Sequence, residues 1–309
     1  MSWRSISLAI ALCESLVAST VAAAEWSVAR GDRQLDLRRD GTVIAIFVTK
    51  DDAVRRPYYH SVQTSSGKPV TRHYPPREGI DRTDHPTMHP GLWLAFGELG
   101  GVDFWRNKGL VEFVEFTAPP TATADGVSFS ARFRYRDGDR IVCEETTRHT
   151  WRDTPRGVQL SWDSEFRATA PTAFGDQEEM GLGVRLATPL NVAGGTGQIV
   201  NSAGLENEPG VWGKTADWCA YTGVEGDRRI GLALFPHPGN FRPAWFHARN
   251  YGLLVANPFG RKAFTKGETS RVEFGPMQPL RLRFGVLIVE APASSPVDMA
   301  RAFADYVRD

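Results

Sequence analysis

Alternation of apolar and polar residues with a period of two is the feature that most limits how this chain can fold. Residues 127–135, 158–166 and 280–288 each place mostly apolar side chains at every second position. Successive side chains of a β-strand point to opposite faces, so each run predicts a strand with one apolar face. Residues 42–48 (TVIAIFV) lack this alternation and predict a strand that is buried on both faces.

Turns and one helix complete the predicted fold. Asp40-Gly41 and Asp137-Gly138 lie between strand-like runs, where type I′ turns would close antiparallel hairpins. At the C-terminus, Ser295 as N-cap and Pro296 at the first position predict a helix. The apolar stripe of this helix would consist of Val297, Ala300, Phe303 and Ala304. The sequence therefore predicts an all-β fold, a single large antiparallel β-sandwich over residues 25–309 with a C-terminal helix.

Charge and the N-terminal residues limit partners and location. Lys+Arg and Asp+Glu number 36 each, so the chain lacks the excess positive charge that would indicate a nucleic-acid partner. Arg4, the apolar residues 6–23 and the small residues before Glu25 predict a signal peptide over residues 1–24. No later stretch reaches the roughly 18 apolar residues of a membrane span. We therefore expect an exported protein, periplasmic or secreted.

Cys143 and Cys219 remain after removal of a signal peptide. In an oxidising compartment they could form a disulfide, and otherwise they would be two separately buried thiols. The sequence alone does not give the distance between them, so both alternatives stay open.

His85 and His89, four residues apart, are the first candidate site. Pro86 and Pro90 disfavour helix at the residue before each, and no Glu follows His85, so the helical zinc motif HExxH is absent. The long, proline-rich segment 58–109 would instead present both rings from an irregular loop. They could act as acid and base, bind a metal with a distant third ligand, or only bond the loop backbone.

Three later segments combine ionisable and aromatic side chains. Residues 176–185 (DQEEMGLGVR) place carboxylates directly before a strand, where they could act as acid or base. Residues 210–223 mix tryptophans with a lysine, which suits the apolar faces and hydroxyls of sugar rings. Residues 235–260 carry many hydrogen-bonding side chains that would be costly to bury without a partner. Core packing of the tryptophans and a solvated acidic loop are the structural alternatives.

Four blocks of the sequence resemble a known family. Residues 84–109, 178–190, 212–221 and 247–260 are similar to the PmoA-like family of bacterial, mostly exported proteins. The resemblance implies a role in carbohydrate metabolism. The expected architecture is similar to the large β-sandwich of galactose mutarotases, in which His and carboxylate side chains transfer protons at a sugar.

The leading hypothesis is therefore an exported carbohydrate-active enzyme that uses general acid-base chemistry, with hydrolase, lyase and epimerase reactions all open. The predicted catalytic residues are His85, His89, Glu179 and His247. The predicted substrate-binding residues are Trp93, Trp105, Trp212, Lys214, Trp245, Arg249 and Asn257. One alternative is a carbohydrate-binding protein without activity. The other is an enzyme that depends on a divalent metal at His85 and His89, since no other cofactor is expected.

Overall fold

A computed structural model describes residue 1 and residues 24–308 of the chain. The predicted signal peptide lies outside the described residues, apart from positions 1 and 24. The described strands are β1 (Trp26–Arg30), β2 (Gln34–Arg39), β3 (Thr42–Val48), β4 (Tyr58–His60), β5 (Leu92–Phe96), β6 (Leu110–Thr123), β7 (Gly126–Asp137), β8 (Arg140–Thr154), β9 (Gly157–Arg167), β10 (Thr172–Phe174), β11 (Met180–Arg185), β12 (Gln198–Asn201), β13 (Lys214–Thr215), β14 (Cys219–Glu225), β15 (Arg228–Pro236), β16 (Trp245–Arg249), β17 (Leu253–Asn257), β18 (Val272–Phe274) and β19 (Leu280–Pro292). The described α-helices are α1 (Asn207–Val211), α2 (Arg261–Thr265) and α3 (Met299–Arg308).

Two large sheets form the molecule. Nine strands pair in the order β1-β2-β3-β4-β5-β11-β17-β16-β13, and eight pair in the order β12-β14-β15-β19-β9-β8-β7-β6. The pairs are antiparallel, and a small sheet of β10 and β18 lies beside them. Apolar side chains from both large sheets form one core. The predicted antiparallel β-sandwich with a C-terminal helix is therefore confirmed.

The three alternating runs form β7, β9 and β19, which all belong to the eight-stranded sheet and are not its edge strands. Their apolar positions, such as Phe129, Trp162 and Phe284, are buried in the core between the sheets. From the facing sheet, Leu94 and Phe246 belong to the same core. The period of two thus identified which side chains fill the sandwich.

The two predicted hairpins differ in their turns. Asp40 (φ 49°) and Gly41 (φ 76°) both have positive φ, so the predicted type I′ turn is confirmed. In the second hairpin Asp137 pairs with Arg140, which makes Gly138 and Asp139 the turn residues. Of these, only Gly138 has positive φ (59°), as a type II′ turn requires. The predicted type I′ turn at Asp137-Gly138 is therefore wrong by one residue.

Helix α3 begins later than predicted. Its first residue is Met299, and the Asp298 carboxylate accepts from the backbone N–H of Arg301 at 2.9 Å. This aspartate thus takes the capping role that we had predicted for Ser295. The predicted apolar stripe is only partly right, because Val297 and Phe303 pack against the apolar cluster under the helix as partly buried side chains. The buried residues are Met299, Ala302 and Tyr306, whereas Ala300 and Ala304 are exposed.

A chain of buried polar side chains crosses the core. Glu145 accepts hydrogen bonds from the hydroxyls of Tyr135 (2.8 Å) and Ser164 (2.5 Å). On the neighbouring side, the hydroxyl of Tyr59 lies 2.7 Å from Nδ1 of His149. Burial raises the pKa of Glu145 to about 7 and lowers that of His149 to about 3.

Cys143 and Cys219 are both buried and free, so they are two separate thiols and do not form a disulfide. Within residues 24–308, no helix is long and apolar enough to cross a membrane.

The outer face of the nine-stranded sheet is covered by the irregular residues 61–91, which join β4 to β5. Tyr74 and Met88 of this segment pack on a small apolar cluster that includes Trp93 and Val255 from the sheet. The predicted irregular segment 58–109 is thus interrupted by β4 and β5, and its loops lie on the sheet. This covering brings polar loop residues next to the polar residues of β11 and β16.

Candidate active site

Two rows of strand partners define the outer face of the nine-stranded sheet. Across β5, β11, β17 and β16, one row consists of Trp93, Gly183, Val255 and His247. The next row consists of Arg185, Leu253 and Arg249. Since neighbouring strands lie about 4.8 Å apart, the backbones of Arg185 and Arg249 are separated by about 10 Å. The candidate site has two clusters of polar side chains, one at each of these arginines.

A single tight turn brings His85 and His89 together. The backbone N–H of His89 donates to the carbonyl of His85 at 3.0 Å, and the ring centroids lie 5.1 Å apart. The turn does not continue as a helix, as its prolines predicted. His85 has a φ of 49°, a left-handed conformation that is uncommon outside glycine and frequent at functional sites.

His89 is a buried, neutral imidazole. Its ring stacks on the indole of Trp93 with a centroid distance of 5.2 Å and an angle of 9°. Burial and then the charge of Arg185 hold the pKa of His89 well below its usual range. Gly183 makes room for the stack, because a Cβ there would lie 2.8 Å from the ring of Trp93.

Asp84 connects the turn to the sheet. One carboxylate oxygen accepts from Nη2 of Arg185 at 2.8 Å, and the other lies 3.1 Å from Nδ1 of His85. Burial alone would raise the pKa of Asp84, but the contacts with His85 and Arg185 lower it below its ordinary value. Asp84 therefore remains ionised and orients His85, whose Nε2 has no partner among the described residues.

Two buried arginines hold the backbone of the histidine turn. Arg72 and Arg56 are 1% and 2% exposed, and they donate to main-chain carbonyls over distances of 2.6 to 3.0 Å. The accepting carbonyls belong to Arg82, Asp84, Met88 and His89. These contacts fix the position of both imidazoles without using a side chain of the turn.

The second cluster is centred on Arg249. Its Nε donates to Nε2 of His247 at 3.0 Å, and its other nitrogens contact the carboxylates of Glu208 (2.9 Å) and Glu178 (3.2 Å). Nδ1 of His247 donates to the carbonyl of Glu178 at 3.3 Å. Burial and the charge of Arg249 lower the pKa of His247 to about 4. Both ring nitrogens of this neutral histidine are occupied, so it positions Arg249 and has no nitrogen free for proton transfer.

Glu178 and Glu179 differ in their surroundings. Burial raises the pKa of the Glu178 carboxyl, Arg249 opposes this shift, and the neighbouring Glu179 adds to it. Glu179 forms an ion pair with Arg106 at 2.9 Å. Glu178 is therefore the carboxyl that is better suited to donate a proton, although Glu179 was the predicted residue.

The predicted catalytic residues thus fall into two groups. His85 and His89 lie in the first cluster, whereas Glu179 and His247 lie at the second. Tyr251 lies between them, because the guanidinium of Arg185 is 4.6 Å from its ring and charges of both clusters act on its hydroxyl.

Three of the seven predicted substrate-binding residues are not free to contact a ligand. Trp93 and Trp105 are 0% and 1% exposed. Asn257 is also fully buried, and its amide makes four hydrogen bonds to the backbone of residues 177, 178, 259 and 260. These three buried side chains therefore hold neighbouring residues of the site in place and do not face a ligand.

The remaining predicted binding residues are accessible. Lys214 is exposed on the edge strand β13, and Arg249 belongs to the second cluster. Trp212 and Trp245 are half-buried, with ring centroids 5.4 Å and 6.5 Å from that of Phe264. They form an aromatic surface beside Arg249, which lies 5.7 Å from the ring of Trp212.

The donor set does not fit a divalent metal. Within residues 24–308, no group of three or more His, Cys, Asp or Glu side chains is placed to hold one. Asp84, the carboxylate nearest to His85 and His89, is already bound to Arg185. The nearby guanidiniums would also repel a cation.

A sequence profile assigns the chain to a protein family. The sequence profile described as "Family of unknown function (DUF6807)" matches residues 34–304. The chain belongs to this family. The resemblance to the PmoA-like family is therefore wrong, because the family that matches is DUF6807 and its function is not known. No curated protein matches the sequence.

Several solved structures are similar to this DUF6807 chain. One is a galactose mutarotase-like protein from Lactobacillus casei ATCC 334, with 9% identity, a TM-score of 0.38 and coverage of 86% of this chain and 100% of that chain. A second is 4-alpha-glucanotransferase from Thermococcus litoralis, with 10% identity, a TM-score of 0.35 and coverage of 87% and 40%. A third is a galactose mutarotase-like protein from Clostridium acetobutylicum, with 7% identity, a TM-score of 0.32 and coverage of 86% and 94%.

Sequence reasoning missed several residues of the site in this family member. The principal ones are Asp84, Arg185 and Glu208, whereas Glu178 and Tyr251 belonged to candidate segments but were not selected as site residues. For Arg185 a signal existed, because a lone arginine ends the otherwise apolar strand MGLGVR. A charge is costly to bury without a partner, so such a residue indicates a nearby carboxylate. For Glu208 no local pattern exists, since its contacts are with Arg249 and Asn250, about forty residues later in the chain.

Proposed function

We propose that this protein is an exported carbohydrate-active enzyme whose active site is the outer face of the nine-stranded sheet. The observation that carries the proposal is the contact between Asp84 and Nδ1 of His85, which leaves Nε2 of that ring open on the face where Glu178 also lies. A carboxylate that orients an imidazole is a common arrangement for a general base. Export rests on the composition of residues 1–24.

Glu178 is the proposed general acid. Its carboxyl is one-third exposed and has a raised pKa, so part of it is protonated at a higher pH than for an ordinary glutamate. His85 is the proposed base. Glycosidic cleavage and proton abstraction next to a carbonyl both need one acid and one base on either side of the substrate. The substrate would then lie over Tyr251, between the two clusters.

The surroundings of these groups suit a sugar. Trp212, Trp245 and Tyr251 are half-buried rings that can pack against the C–H faces of a pyranose. Arg249 and Glu208 offer polar atoms to its hydroxyls. Pockets for small ligands combine such apolar surfaces with a few placed polar groups.

The test is a search for turnover with matched variants. Residues 25–309 would be incubated with neutral and acidic oligosaccharides and with reducing sugars, and proton NMR would follow cleavage, elimination and epimerisation together. We expect one substrate class to react. Glu178→Gln and His85→Ala should each lower kcat by about 10²-fold or more, the usual contribution of a general acid or base.

His237→Ala is the control, because His237 is a half-buried histidine near Tyr306, far from this face. It should keep full activity. If Glu178→Gln and His85→Ala also kept full activity on an identified substrate, the proposal would be wrong. Sugar binding without any product would favour the alternative of a binding protein.

A further inference from the structure

The first cluster has more positive than negative charge. Asp84 lies within 4.0 Å of the guanidiniums of Arg72 (3.7 Å), Arg82 (3.5 Å) and Arg185 (2.8 Å), and among the described residues no other carboxylate forms an ion pair with these three arginines. It also contacts His85. The next carboxylate of the segment, Asp81, is bound to His73 at 2.9 Å. Three cations therefore share one direct counter-ion.

Burial makes this excess charge effective. Arg72 and Arg185 are 1% and 0% exposed, and the Nε of each is buried without a hydrogen-bond acceptor among the described residues. A buried charge is screened much less by salt and water than an exposed one. Its field therefore acts on whatever lies over the adjacent surface, which is formed by Arg82, His85 and Tyr251.

The second cluster has the opposite sign. Glu178, Glu179 and Glu208 face two arginines, Arg249 and Arg106, and Arg106 is also shared with Asp103. The site is thus positive at one end and negative at the other. A ligand with an anionic group at one end and neutral hydroxyls elsewhere matches this distribution.

We propose that the saccharide carries a carboxylate, as in a uronic-acid residue, and that this carboxylate lies against Arg82. The inference rests on the proposed function. Arg82 is suited to the contact because its side chain is 48% exposed and its guanidinium lies 5.5 Å from the ring of Tyr251. A guanidinium matches a carboxylate through paired hydrogen bonds.

The binding test compares methyl glycosides of galacturonic and glucuronic acid with those of galactose and glucose, and with galactose 6-sulfate. Affinities would be measured by ligand-observed NMR or calorimetry on residues 25–309. We expect the carboxylates to bind about tenfold tighter or more than their neutral counterparts. Raising the salt from about 10 mM to about 500 mM should reduce that preference, because exposed contacts are screened.

Arg82→Gln gives a residue-level test, with Arg77→Gln as its control. Both arginines are exposed and belong to the same segment, but the Arg77 side chain has no contact with the cluster. Arg82→Gln should weaken uronate binding about tenfold and leave neutral-sugar binding unchanged. Arg77→Gln should change neither affinity.

Each outcome decides the inference. Tighter uronate binding that depends on Arg82 supports it. If neutral sugars bind as tightly as the uronates and are turned over, the substrate carboxylate is ruled out and the proposed enzymatic function remains. A sulfate ester that binds tighter than the carboxylates overturns the assignment of the anion. No binding by any of these sugars contradicts both the inference and the proposed function.

Discussion

The guanidinium of Arg249 donates from Nε to Nε2 of His247 at 3.0 Å, on the same face of the sheet as the proposed acid. This contact fixes the tautomer of His247, since its Nδ1 must then carry the proton that it donates to the carbonyl of Glu178. The pair therefore sets the position of Glu178 through both its backbone and its carboxylate.

Loss of His247 should weaken this arrangement. In His247→Ala, Arg249 loses an acceptor and the carbonyl of Glu178 loses a donor, so we expect a loss of about 1–3 kcal/mol in urea unfolding. Turnover should fall while the pH–rate profile above about pH 5 keeps its shape, because the pKa of His247 is about 4. His247→Gln, which retains an acceptor near Arg249, should recover part of the activity. If an inflection near neutral pH disappeared in His247→Ala, the histidine would be a proton donor or acceptor after all.

Glu145 should make the stability of the fold depend on pH. Its pKa is about 7 in the folded state and 4.5 as the ordinary value, so between these pH values the folded protein holds a proton that the unfolded chain has released. Stability should therefore fall as pH rises from about 4.5 to 7, by up to roughly 3 kcal/mol.

Glu145→Gln tests this, because its amide cannot ionise and the slope should become flatter. Glu115→Gln is the control, since Glu115 has a 53% exposed side chain. Denaturant unfolding at several pH values would measure both. Equal slopes for the wild type and Glu145→Gln would show that Glu145 does not titrate in this range.

Gly183→Ala should disturb the stack of His89 on Trp93. The new Cβ would lie 2.8 Å from the ring of Trp93 and 3.1 Å from that of Trp105. Both rings are buried, so relief requires a shift of the core, and we expect a loss of about 1–3 kcal/mol. Gly210→Ala in α1 is the control, because its nearest neighbour lies at 3.6 Å. A melting temperature unchanged by Gly183→Ala would argue against this packing.

Cys143 and Cys219 should not react with thiol reagents in the folded protein. Both are buried, and burial raises the pKa of each thiol above its ordinary value. In residues 25–309 without reductant, we expect two thiols to be labelled with Ellman's reagent after unfolding in guanidinium and almost none before. Labelling of fewer than two thiols after unfolding would indicate a disulfide.

The sequence predicted the strands better than the site. Runs such as 127–135 have a repeat of two that directly reflects the geometry of a strand, so their burial could be read from the sequence. The start of α3 was misplaced because Ser295 and Asp298 are both good caps and only tertiary packing distinguishes them.

The site was predicted only in part because its contacts join distant segments. His85 and His89 could be recognised from their spacing, but their partner Arg185 lies about a hundred residues later in the chain. Asn257 and Trp93 looked like ligand-binding residues because residue type does not indicate which face of a strand is covered. The rejection of a helical zinc motif followed from the two prolines and from the absence of a Glu after His85, since both features are local in the sequence.

The hydrogen bonds of Arg56 and Arg72 to main-chain carbonyls have an evolutionary consequence. Every residue type supplies the same carbonyl group, so these arginine contacts do not depend on which side chains residues 82–89 carry. Members of DUF6807 could therefore diversify their ligand preference in this loop without redesigning its scaffold. We expect those two arginines to vary less among relatives than the residues that they hold.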